Sequence, residues 1–313
     1  MSDTKKILIT GGAGFIGSHL SRKLVNLGYQ PIIYDNFSIG QKSNLADIKR
    51  KIKILKGNIL NFEKLQKSIV KYSPEAIFHL AAIHYIPFCI KNYTKTYKVN
   101  VNGTKNLLRA LSVYKDKPHF VFISTGAIYK NSNKSLSEKC SKAPIDIYGK
   151  TKLLGENLVR KYCVENNIPF TIIRLFNTYG PDELVPHVIT KIIKKLKQDE
   201  VIKLGNLKTR RDFIFVSDVV DVLCSLLNRR KNNEIYNLGT GREYSVSYII
   251  DCLKDLLKNK QKIKIKSDPA LFRKQDPLHL RADIKKIKHD LHWKPRINIK
   301  HGLTILLTKE GIL

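Results

Sequence analysis

A glycine-rich stretch near the N-terminus constrains the fold of this chain more than any other feature. The residues TGGAGFIGS at 10–18 follow the short apolar run KKILIT and precede SHLSRKLVNLG, whose apolar residues recur at helical spacing. Gly11 and Gly12 permit a tight turn between the strand and the helix. Gly14 lets the backbone approach a pyrophosphate, and Gly17 lets the helix pack close to the strand. A glycine-rich turn without a ligand is the alternative, but the order of strand, loop and helix predicts a dinucleotide-binding unit.

The start of this helix and the end of the next strand complete the predicted cofactor site. Phe15 and Ile16 begin the helix, whose free N–H groups and positive dipole end favour phosphate. The strand PIIYDN ends in Asp35 and Asn36, about 20 residues beyond the glycines, where an acid hydrogen-bonds a ribose 2′-hydroxyl. A carboxylate there repels a 2′-phosphate, and no arginine lies beside Asp35 in the sequence. The pattern therefore favours NAD over NADP as the cofactor.

Short apolar strands alternate with helical segments along the first half of the chain. This alternation predicts an α/β fold with a Rossmann-type doubly wound parallel sheet. From about Asn177 the pattern loosens, and EIYNLG at 234–239 resembles a strand that returns to the main sheet. We therefore expect an NAD-binding Rossmann domain at residues 1–176, with a return segment at about 217–240. A smaller, interleaved substrate-binding lobe is expected at residues 177–313.

The chain is strongly basic, with 57 Lys and Arg against 26 Asp and Glu and a formal net charge of +31. Such a charge suits a nucleic-acid or anionic-membrane partner. The basic residues are nevertheless spread along the chain, and no recognition motif interleaves them with aromatic residues. We interpret most of them as solvated faces and expect no nucleic-acid partner.

Length, hydropathy and cysteine content exclude several classes of protein. At 313 residues the chain can bury a full core and is expected to form two lobes rather than two independent domains. No apolar run approaches the roughly 18 residues that span a bilayer, and no positive-then-apolar leader precedes the first strand. The 5 cysteines form no CxxC pair and have no histidine at metal spacing, so free thiols and no metal site are expected. These features predict a cytoplasmic protein.

A hydroxyl, a phenol and an ammonium form the candidate catalytic group. Tyr148 and Lys152 lie in PIDIYGKTKLLGE, where Asp146 indicates the start of a helix, and this spacing places both on one helix face. An ordinary tyrosine has a pKa of about 10, and a nearby ammonium and a positive nicotinamide ring both favour its phenolate. The strand HFVFIST ends at Ser124 and Thr125, where a hydroxyl can bond the same substrate oxygen. We predict Thr125, Tyr148 and Lys152 as the catalytic residues.

With these residues, the chain resembles the extended short-chain dehydrogenases/reductases of the NAD-dependent nucleotide-sugar epimerase/dehydratase family. The resemblance covers essentially the whole length. Beyond the catalytic matches, it lies in GNIL at 57–60, HLAA at 79–82, VNVNGT at 99–104, RLFNTYGP at 174–181, RRDFIFVSDVV at 210–220 and YNLGTG at 236–241. It implies a Rossmann fold, an NAD cofactor and a nucleotide-diphosphate sugar as the substrate.

The resemblance also implies roles for cofactor residues outside the glycine loop. Asn58 and Ile59 would contact the adenine, and Ala81 and Ala82 would flank the NAD ribose. Asn100 would steady the cofactor loop. Asn58 stands where the family usually has aspartate, and its amide oxygen still accepts a hydrogen bond from the adenine amino group.

The residues that the resemblance assigns to the nucleotide diphosphate of the substrate are Asn177, Arg211, Arg273 and Asp276. Planar guanidinium groups suit diphosphate oxygens, and surface salt bridges are the alternative for the two arginines. His84 stands where several epimerases have a lysine or a small polar residue that faces the cofactor and the sugar. It is either a substrate contact or a packed loop residue.

The residue two positions after Thr125 distinguishes the reactions of the family. Dehydratases and decarboxylases resemble one another in having glutamate there, and 3,5-epimerases and the related reductases have cysteine, whereas this chain has Ala127. No acid or base for chemistry at sugar C5 is expected at that point. The pattern favours a 4-epimerase that forms a transient 4-keto sugar, recycles NAD and acts on a UDP-hexose or UDP-N-acetylhexosamine. The alternatives are a dehydratase or reductase of the same family and a non-catalytic NAD-sensing regulator.

The resemblance also implies a homodimer and a residue in the wall of the substrate pocket. The helices at 101–114 and 148–163 resemble the pair through which this family dimerises, which predicts a homodimer. In related 4-epimerases a residue seven positions after the diphosphate arginine gates the pocket, and counting from Arg273 gives Leu280. A leucine leaves room for an acetamido group, so UDP-N-acetylhexosamines are expected to react at least as readily as plain UDP-hexoses.

Overall fold

The computed structural model describes residues 4–112, 114, 116–198, 201–228, 233–258, 264–272 and 276–313. Their strands are β1 Lys6–Thr10, β2 Gln30–Asp35, β3 Lys53–Lys56, β4 Ala76–His79, β5 His119–Thr125, β6 Phe170–Leu175, β7 Asn177–Tyr179, β8 Ile202–Leu204, β9 Arg210–Arg211, β10 Phe213–Phe215, β11 Glu234–Leu238, β12 Tyr244–Ser245 and β13 Ile265–Ser267. Their α-helices are α1 Phe15–Asn26, α2 Phe62–Tyr72, α3 Ile86–Lys91, α4 Tyr93–Tyr97, α5 Gly103–Ser112, α6 Ile147–Glu165, α7 Val188–Lys197, α8 Val216–Ser225, α9 Val246–Leu257, α10 Lys285–Leu291 and α11 Ile299–Lys309. Shorter helical turns are the 3₁₀ segments Lys42–Lys51, Gly126–Ile128 and Pro269–Leu271 and the π-helical turn Lys98–Asn102.

Seven strands form one sheet in the order β11, β6, β5, β4, β1, β2, β3. Strands β1 to β6 pair in parallel, so their carboxyl ends lie along one edge. The chain order reverses on either side of β1, between β2 and β4, and ligands of such sheets bind at this switch point. The predicted Rossmann-type doubly wound fold is confirmed. The segment EIYNL forms β11 at the edge of the sheet, beside β6.

Helices cover the sheet because its strands are apolar on both faces. One buried cluster comprises Leu8, Ile32, Ile77, Phe120 and Ile172 from the strands, with Leu65, Ile69, Leu107, Leu111, Val159 and Cys163 from α2, α5 and α6. Leu20 and Leu24 of α1 lie outside this cluster and are fully buried, and α1 contacts β1 and β2. Burial of these side chains holds both α1 and α6 against the strand ends that precede them.

The chain divides into two compact units. The first comprises the described residues up to Tyr129, with Lys142–Leu175 and Val220–Tyr236, and the second comprises Lys130–Ser141, Phe176–Val219 and Asn237–Leu313. The predicted first domain, at residues 1–176, includes 130–141, but this segment belongs to the second unit. The N–H of Leu136 donates to the Arg281 carbonyl at 2.8 Å, and the Asn237 amide donates to the Leu136 carbonyl at 2.7 Å. These long-range contacts are not visible in a local sequence pattern.

Short two-stranded sheets organise the second unit, pairing β7 with β10, β8 with β13 and β9 with β12. Between β9 and β10 lies Asp212, a fully buried acid. Its carboxylate accepts hydrogen bonds from the N–H groups of Thr240 at 2.7 Å, Gly241 at 2.9 Å and Ala282 at 3.2 Å. Burial raises the pKa of this carboxyl to about 6, and the hydrogen bonds oppose the rise. Asp212 therefore ties together three segments that are distant in sequence.

Among the residues that the structure describes, no helix has the length and apolar character needed to cross a bilayer. The same described residues contain no group of three or more His, Cys, Asp or Glu side chains arranged to hold a metal ion. All five cysteines are free thiols.

Candidate active site

The glycine loop between β1 and α1 has the backbone geometry that a dinucleotide cradle needs. Gly11 has a left-handed φ of +73°, and a Cβ there would lie 2.8 Å from the Ala81 nitrogen. A Cβ on Gly17 would collide with the Gly11 carbonyl oxygen, so this glycine lets α1 start close to the loop. Only glycine fits both positions, because the backbone of Ala81 and of the loop itself lies where a Cβ would be.

The N-terminus of α1 provides the anion-binding groups of this cradle. Gly14 is the N-cap residue and supplies no side-chain hydrogen bond. The N–H groups of the first turn, at Phe15 and Ile16, have no partner within the helix. Together with the positive end of the helix dipole, they fit the pyrophosphate of a dinucleotide.

The acid at the end of β2 is fixed beside the same loop. Asp35 is 7% exposed, and its carboxylate accepts from the N–H of Ala13 at 3.0 Å and of Phe37 at 2.8 Å. The side chain of the exposed Asn36 accepts from the Ser38 N–H at 3.0 Å. A carboxylate oxygen accepts more than one hydrogen bond, so Asp35 can also accept a ribose hydroxyl. This arrangement fits NAD, because the negative charge disfavours a 2′-phosphate.

The residues predicted to contact adenine follow β3. Asn58 is exposed, and its side-chain oxygen accepts from the Leu60 N–H at 3.0 Å, while its carbonyl accepts from the Tyr34 hydroxyl at 3.2 Å. Ile59 is instead buried in the core cluster, against Gly103, where a Cβ would collide with its side chain. The Ile59 side chain is therefore committed to packing, and the adenine contact stays a prediction for both residues.

The loop after β4 contains Ala81 and Ala82 and is held by Asn100. The Asn100 side-chain oxygen accepts from the Ile83 N–H at 2.8 Å. Its amide donates to the Ile83 carbonyl at 2.9 Å and to the Thr151 hydroxyl at 3.0 Å. Asn100 lies in the π-helical turn before α5, and such turns occur frequently at functional sites. These bonds link the loop to α6, and the role of Asn100 towards a bound cofactor stays a prediction.

The structure brings the three predicted catalytic residues together. Helix α6 begins as predicted because Asp146 caps it, accepting from the Gly149 N–H at 2.8 Å. Tyr148 and Lys152 lie one turn apart on this helix and share a face. Thr125 is the last residue of β5, and its hydroxyl forms a hydrogen bond with the Tyr148 phenol.

Burial dominates the electrostatics of this group. It raises the pKa of the Tyr148 phenol above its ordinary value, and the hydrogen bond from Thr125 opposes the rise. Burial also lowers the pKa of the Lys152 ammonium to about 7, and the charge of Glu156 opposes this change. We expected the ammonium to favour the phenolate, but burial outweighs that effect because removal from water disfavours both charged forms.

His84 lies beside Lys152, in the loop after β4. Burial lowers the pKa of its imidazole, a hydrogen bond with the Ala82 backbone opposes the change, and the charge of Lys152 adds to it. A neutral imidazole has one donor and one acceptor nitrogen. Both roles of His84, as a substrate contact and as a packed loop residue, stay predictions.

Two charged residues next to this group were missed by the sequence analysis. Glu156 and Arg174 form a buried ion pair with an N–O distance of 2.8 Å. Ser124 donates its hydroxyl to Glu156 at 2.6 Å, so its hydroxyl is committed to the core, unlike that of Thr125. Two features of the sequence point to this ion pair. Glu156 follows Lys152 by one helical turn, and Arg174 is a charged residue within the apolar strand FTIIRLF.

Of the predicted substrate residues, Asn177, Arg211 and Asp276 lie in the second unit, and Arg273 lies outside the described residues. Asn177 begins β7. The Arg211 guanidinium donates to the Asp276 carboxylate and to the Pro277 carbonyl, both at 2.8 Å. The side chains of this ion pair are 12% and 24% exposed, and contact of Arg211 with a substrate diphosphate stays a prediction.

A family model and curated relatives match nearly the whole chain. The family model described as GDP-mannose 4,6 dehydratase matches residues 8–306. A putative UDP-glucose 4-epimerase of Methanocaldococcus jannaschii is 34% identical over 306 residues, which cover 95% of each chain. A UDP-N-acetyl-alpha-D-glucosaminuronate decarboxylase of Bacillus cytotoxicus is 30% identical over 317 residues, which cover 96% of this chain and 95% of the relative.

The fold is similar to that of solved structures over nearly its whole length. A UDP-glucuronic acid 4-epimerase from Bacillus cereus, crystallised with UDP-glucuronic acid and NAD, has a TM-score of 0.89 and 28% identity. The likeness covers 98% of this chain and 99% of that one. The chain belongs to the extended short-chain dehydrogenase/reductase family of NAD-dependent nucleotide-sugar epimerases and dehydratases.

Proposed function

We propose that this protein is an NAD-dependent nucleotide-sugar 4-epimerase that acts through a transient 4-keto sugar. NAD is its cofactor, and the glycine loop and Asp35 fit it. The proposed substrate is a UDP-hexose or a UDP-N-acetylhexosamine, because both relatives and the crystallised epimerase are named for UDP-sugars.

The residue at position 127 distinguishes this reaction from its alternatives. Ala127 lies in the turn after β5, and its N–H donates to the Thr125 hydroxyl oxygen at 3.2 Å. Its methyl group can neither take nor give a proton, whereas removal of a C5 proton or substituent needs an acid or base at that point. The carboxyls of Asp146 and Glu156 are engaged as a helix cap and in an ion pair. The site therefore supports chemistry at C4.

In the proposed reaction Tyr148 takes the proton of the sugar 4-hydroxyl, and Thr125 hydrogen-bonds the same oxygen. Lys152 places a positive charge near the phenol, which favours the phenolate during the transfer. When bound, NAD supplies the acceptor and the donor of the C4 hydride. After the 4-keto sugar has turned, Tyr148 returns the proton to the oxygen. His84 would form one hydrogen bond with the sugar as a neutral imidazole.

In the second unit, Arg211 is fixed by its neighbours and is the proposed ligand of the substrate diphosphate. Asp276 and the Pro277 carbonyl fix the Arg211 guanidinium from the side chain and the backbone. A guanidinium fixed in this way loses less conformational freedom when it binds a diphosphate oxygen. We assign the nucleotide-diphosphate site to Arg211 and Asp276, together with Asn177 and Arg273.

Two other functions are distinguishable from this one. A decarboxylase is a candidate because the relative from Bacillus cytotoxicus has that name. A non-catalytic NAD-sensing regulator is the candidate from another class. The hydrogen bond between Thr125 and Tyr148 weighs against a regulator, because a sensor needs no acid or base.

The function is tested on the purified protein by measuring bound NAD and then adding UDP, GDP, CDP and dTDP sugars without further NAD. NMR of the products separates the reactions. A 4-epimer of unchanged mass supports the proposal, a 4-keto-6-deoxy sugar identifies a dehydratase, and a pentose with released carbon dioxide identifies a decarboxylase. Bound NAD without any turnover would favour the regulator.

We also propose that the protein is a homodimer. Apolar side chains are exposed at and before the helices that resemble the dimer pair of the family, with Ile90 61%, Tyr93 59% and Leu154 42% exposed. A second copy would remove these side chains from water. Light scattering should give about twice the 35.9 kDa chain mass. The variant Tyr93→Lys should shift the protein towards the monomer, and a parent that is already monomeric would contradict the proposal.

A further inference from the structure

A buried ion pair lies next to the catalytic residues of the first unit. Glu156 on α6 and Arg174 on β6 are 2% and 1% exposed. Arg174 Nε donates to Glu156 Oε1 at 3.0 Å, and Arg174 Nη2 donates to Glu156 Oε2 at 2.8 Å. This two-point geometry is that of a strong, charge-assisted pair.

The pair fixes the chain on both sides of Thr125. Ser124 precedes Thr125 and donates its hydroxyl to Glu156 Oε1 at 2.6 Å. Tyr129 follows the turn after Thr125, and its hydroxyl accepts from Arg174 Nη1 at 2.8 Å. The Arg174 guanidinium also lies over the Tyr129 ring, 5.1 Å from its centre. Strands β5 and β6, the turn after β5 and helix α6 therefore meet at these two charged side chains.

Glu156 also acts on Lys152, which lies one turn earlier on the same helix. The charge of Glu156 opposes the effect of burial, which lowers the pKa of the Lys152 ammonium. Other titratable groups that face Lys152 are Tyr148 on α6, His79 on β4 and His84 in the next loop. Burial lowers the pKa of both histidines, so neither competes with Lys152 for the positive charge.

We propose that Glu156 and Arg174 are positioning residues, which hold α6 against the ends of β5 and β6 and place a carboxylate one turn from Lys152. The proposal rests on the proposed function only in treating Lys152 as a catalytic group. A purely structural role does not explain the charges, because apolar residues of similar volume often stabilise a core as well as a buried ion pair does. A negative charge one turn from Lys152 has an effect that no apolar residue reproduces.

Three variants separate the effect of charge from that of shape. Glu156→Gln removes the charge and keeps the size of the side chain. Glu156→Asp keeps the charge on a shorter side chain and is the matched control. In Glu156→Gln alone, the buried Arg174 guanidinium loses its ion-pair partner, which can prevent folding. The double variant Glu156→Gln with Arg174→Met has no such unpaired cation and replaces the single variant if that variant does not fold. Circular dichroism and thermal melts verify folding.

The readout is the titration of Lys152, measured by NMR on the full chain with isotope-labelled lysine. The signal that disappears in Lys152→Arg is assigned to Lys152. We expect its midpoint to fall by about one pH unit in Glu156→Gln, which is about tenfold in proton affinity, and by less in the double variant. Glu156→Asp should titrate close to the parent.

The proposal is overturned if the midpoint falls by less than about 0.3 pH unit in folded Glu156→Gln, or in the double variant where Glu156→Gln does not fold. An equal fall in Glu156→Asp would also overturn it, because that variant keeps the carboxylate. No substrate is used, so an inactive parent would refute the proposed function and leave this titration decisive. If the parent protein turns over a sugar, its kcat should decrease at high pH as the Lys152 ammonium loses its proton, because the reaction needs that charge. In Glu156→Gln this decrease should begin at a lower pH.

Discussion

The two units of the molecule hold their predicted site residues in different ways. In the first unit, two predicted cofactor residues are held by the backbone: Asp35 accepts from two N–H groups, and Asn100 bonds both the N–H and the carbonyl of Ile83. In the second unit, Arg211 also donates to a backbone carbonyl, that of Pro277, but it forms in addition an ion pair with the side chain of Asp276. A backbone partner is present whichever residues occupy the chain, whereas an ion pair depends on the identity of both side chains.

This difference separates groups that the backbone holds from a group that depends on a partner side chain. Backbone-anchored groups suit a redox step at a fixed position. Exchangeable pairs suit a substrate site that varies, and the two relatives are named for different UDP-sugars. If the division holds, changes in the first unit lower kcat, and changes in the second unit raise KM.

The largest expected effect comes from removing the phenol in the first unit. Tyr148→Phe should keep the fold and bound NAD and lower kcat by at least about 10²-fold, which is the lower range for loss of a positioned acid and base. Steady-state kinetics with the substrate identified by NMR measure the change. KM should stay within a few-fold of the parent. Activity close to that of the parent would end the proposed mechanism.

A change at the arginine of the second unit should have the opposite kinetic signature. Arg211→Met should raise KM by about 10-fold to 100-fold with a smaller change in kcat, because it removes charge-assisted bonds to the diphosphate. The matched control is Arg210→Met, since Arg210 pairs with Glu243 and not with Asp276. A similar rise of KM in both variants would mean that general charge, and not the held guanidinium, attracts the substrate.

Cofactor choice should respond to the acid at the end of β2. Asp35→Asn keeps the shape of the side chain and removes the charge that repels a 2′-phosphate. We expect the preference for NAD over NADP to fall by about tenfold, the scale of one partly screened charge. Calorimetry on protein stripped of cofactor measures both affinities. Asp47→Asn is the control, because Asp47 pairs with Arg22 at the surface. An unchanged preference would place the discrimination elsewhere.

The sequence predicts those parts of the molecule that local patterns specify. The glycine loop, the strand that ends in Asp35 and the cap of α6 at Asp146 each depend on a few neighbouring residues, and the structure has all three. The shared helix face of Tyr148 and Lys152 was also predictable, because it follows from their spacing alone.

Features that depend on distant parts of the chain were not predictable in this way. Glu156 meets Arg174 only because α6 packs beside β6, and a lone charge in either element has no visible partner in the sequence. The segment at 130–141 joins the second unit through Leu136 and its contacts near the C-terminal end. The raised pKa of Tyr148 follows from burial, which is a property of the whole fold.

The smallest expected effect concerns the size of the sugar. It tests whether a residue of the second unit selects the substrate. Leu280 is half-buried, and its carbonyl accepts from the Asp212 N–H at 2.9 Å, so its backbone is fixed in that unit. We predict that UDP-N-acetylhexosamines react at least as readily as UDP-hexoses and that Leu280→Tyr shifts the preference towards the smaller sugar by a few-fold. The physical reason is overlap, because a pocket rejects a larger ligand mainly by steric exclusion.

The measurement is the ratio of kcat/KM for the two sugars in the parent and in Leu280→Tyr. The matched control is Leu278→Tyr, two residues earlier in the same segment, where the leucine is 49% exposed and added bulk extends into solvent. A shift in Leu280→Tyr alone identifies the wall residue. An equal shift in both variants would reflect a general disturbance of the segment, and an unchanged ratio in both would show that the gate is formed by other residues.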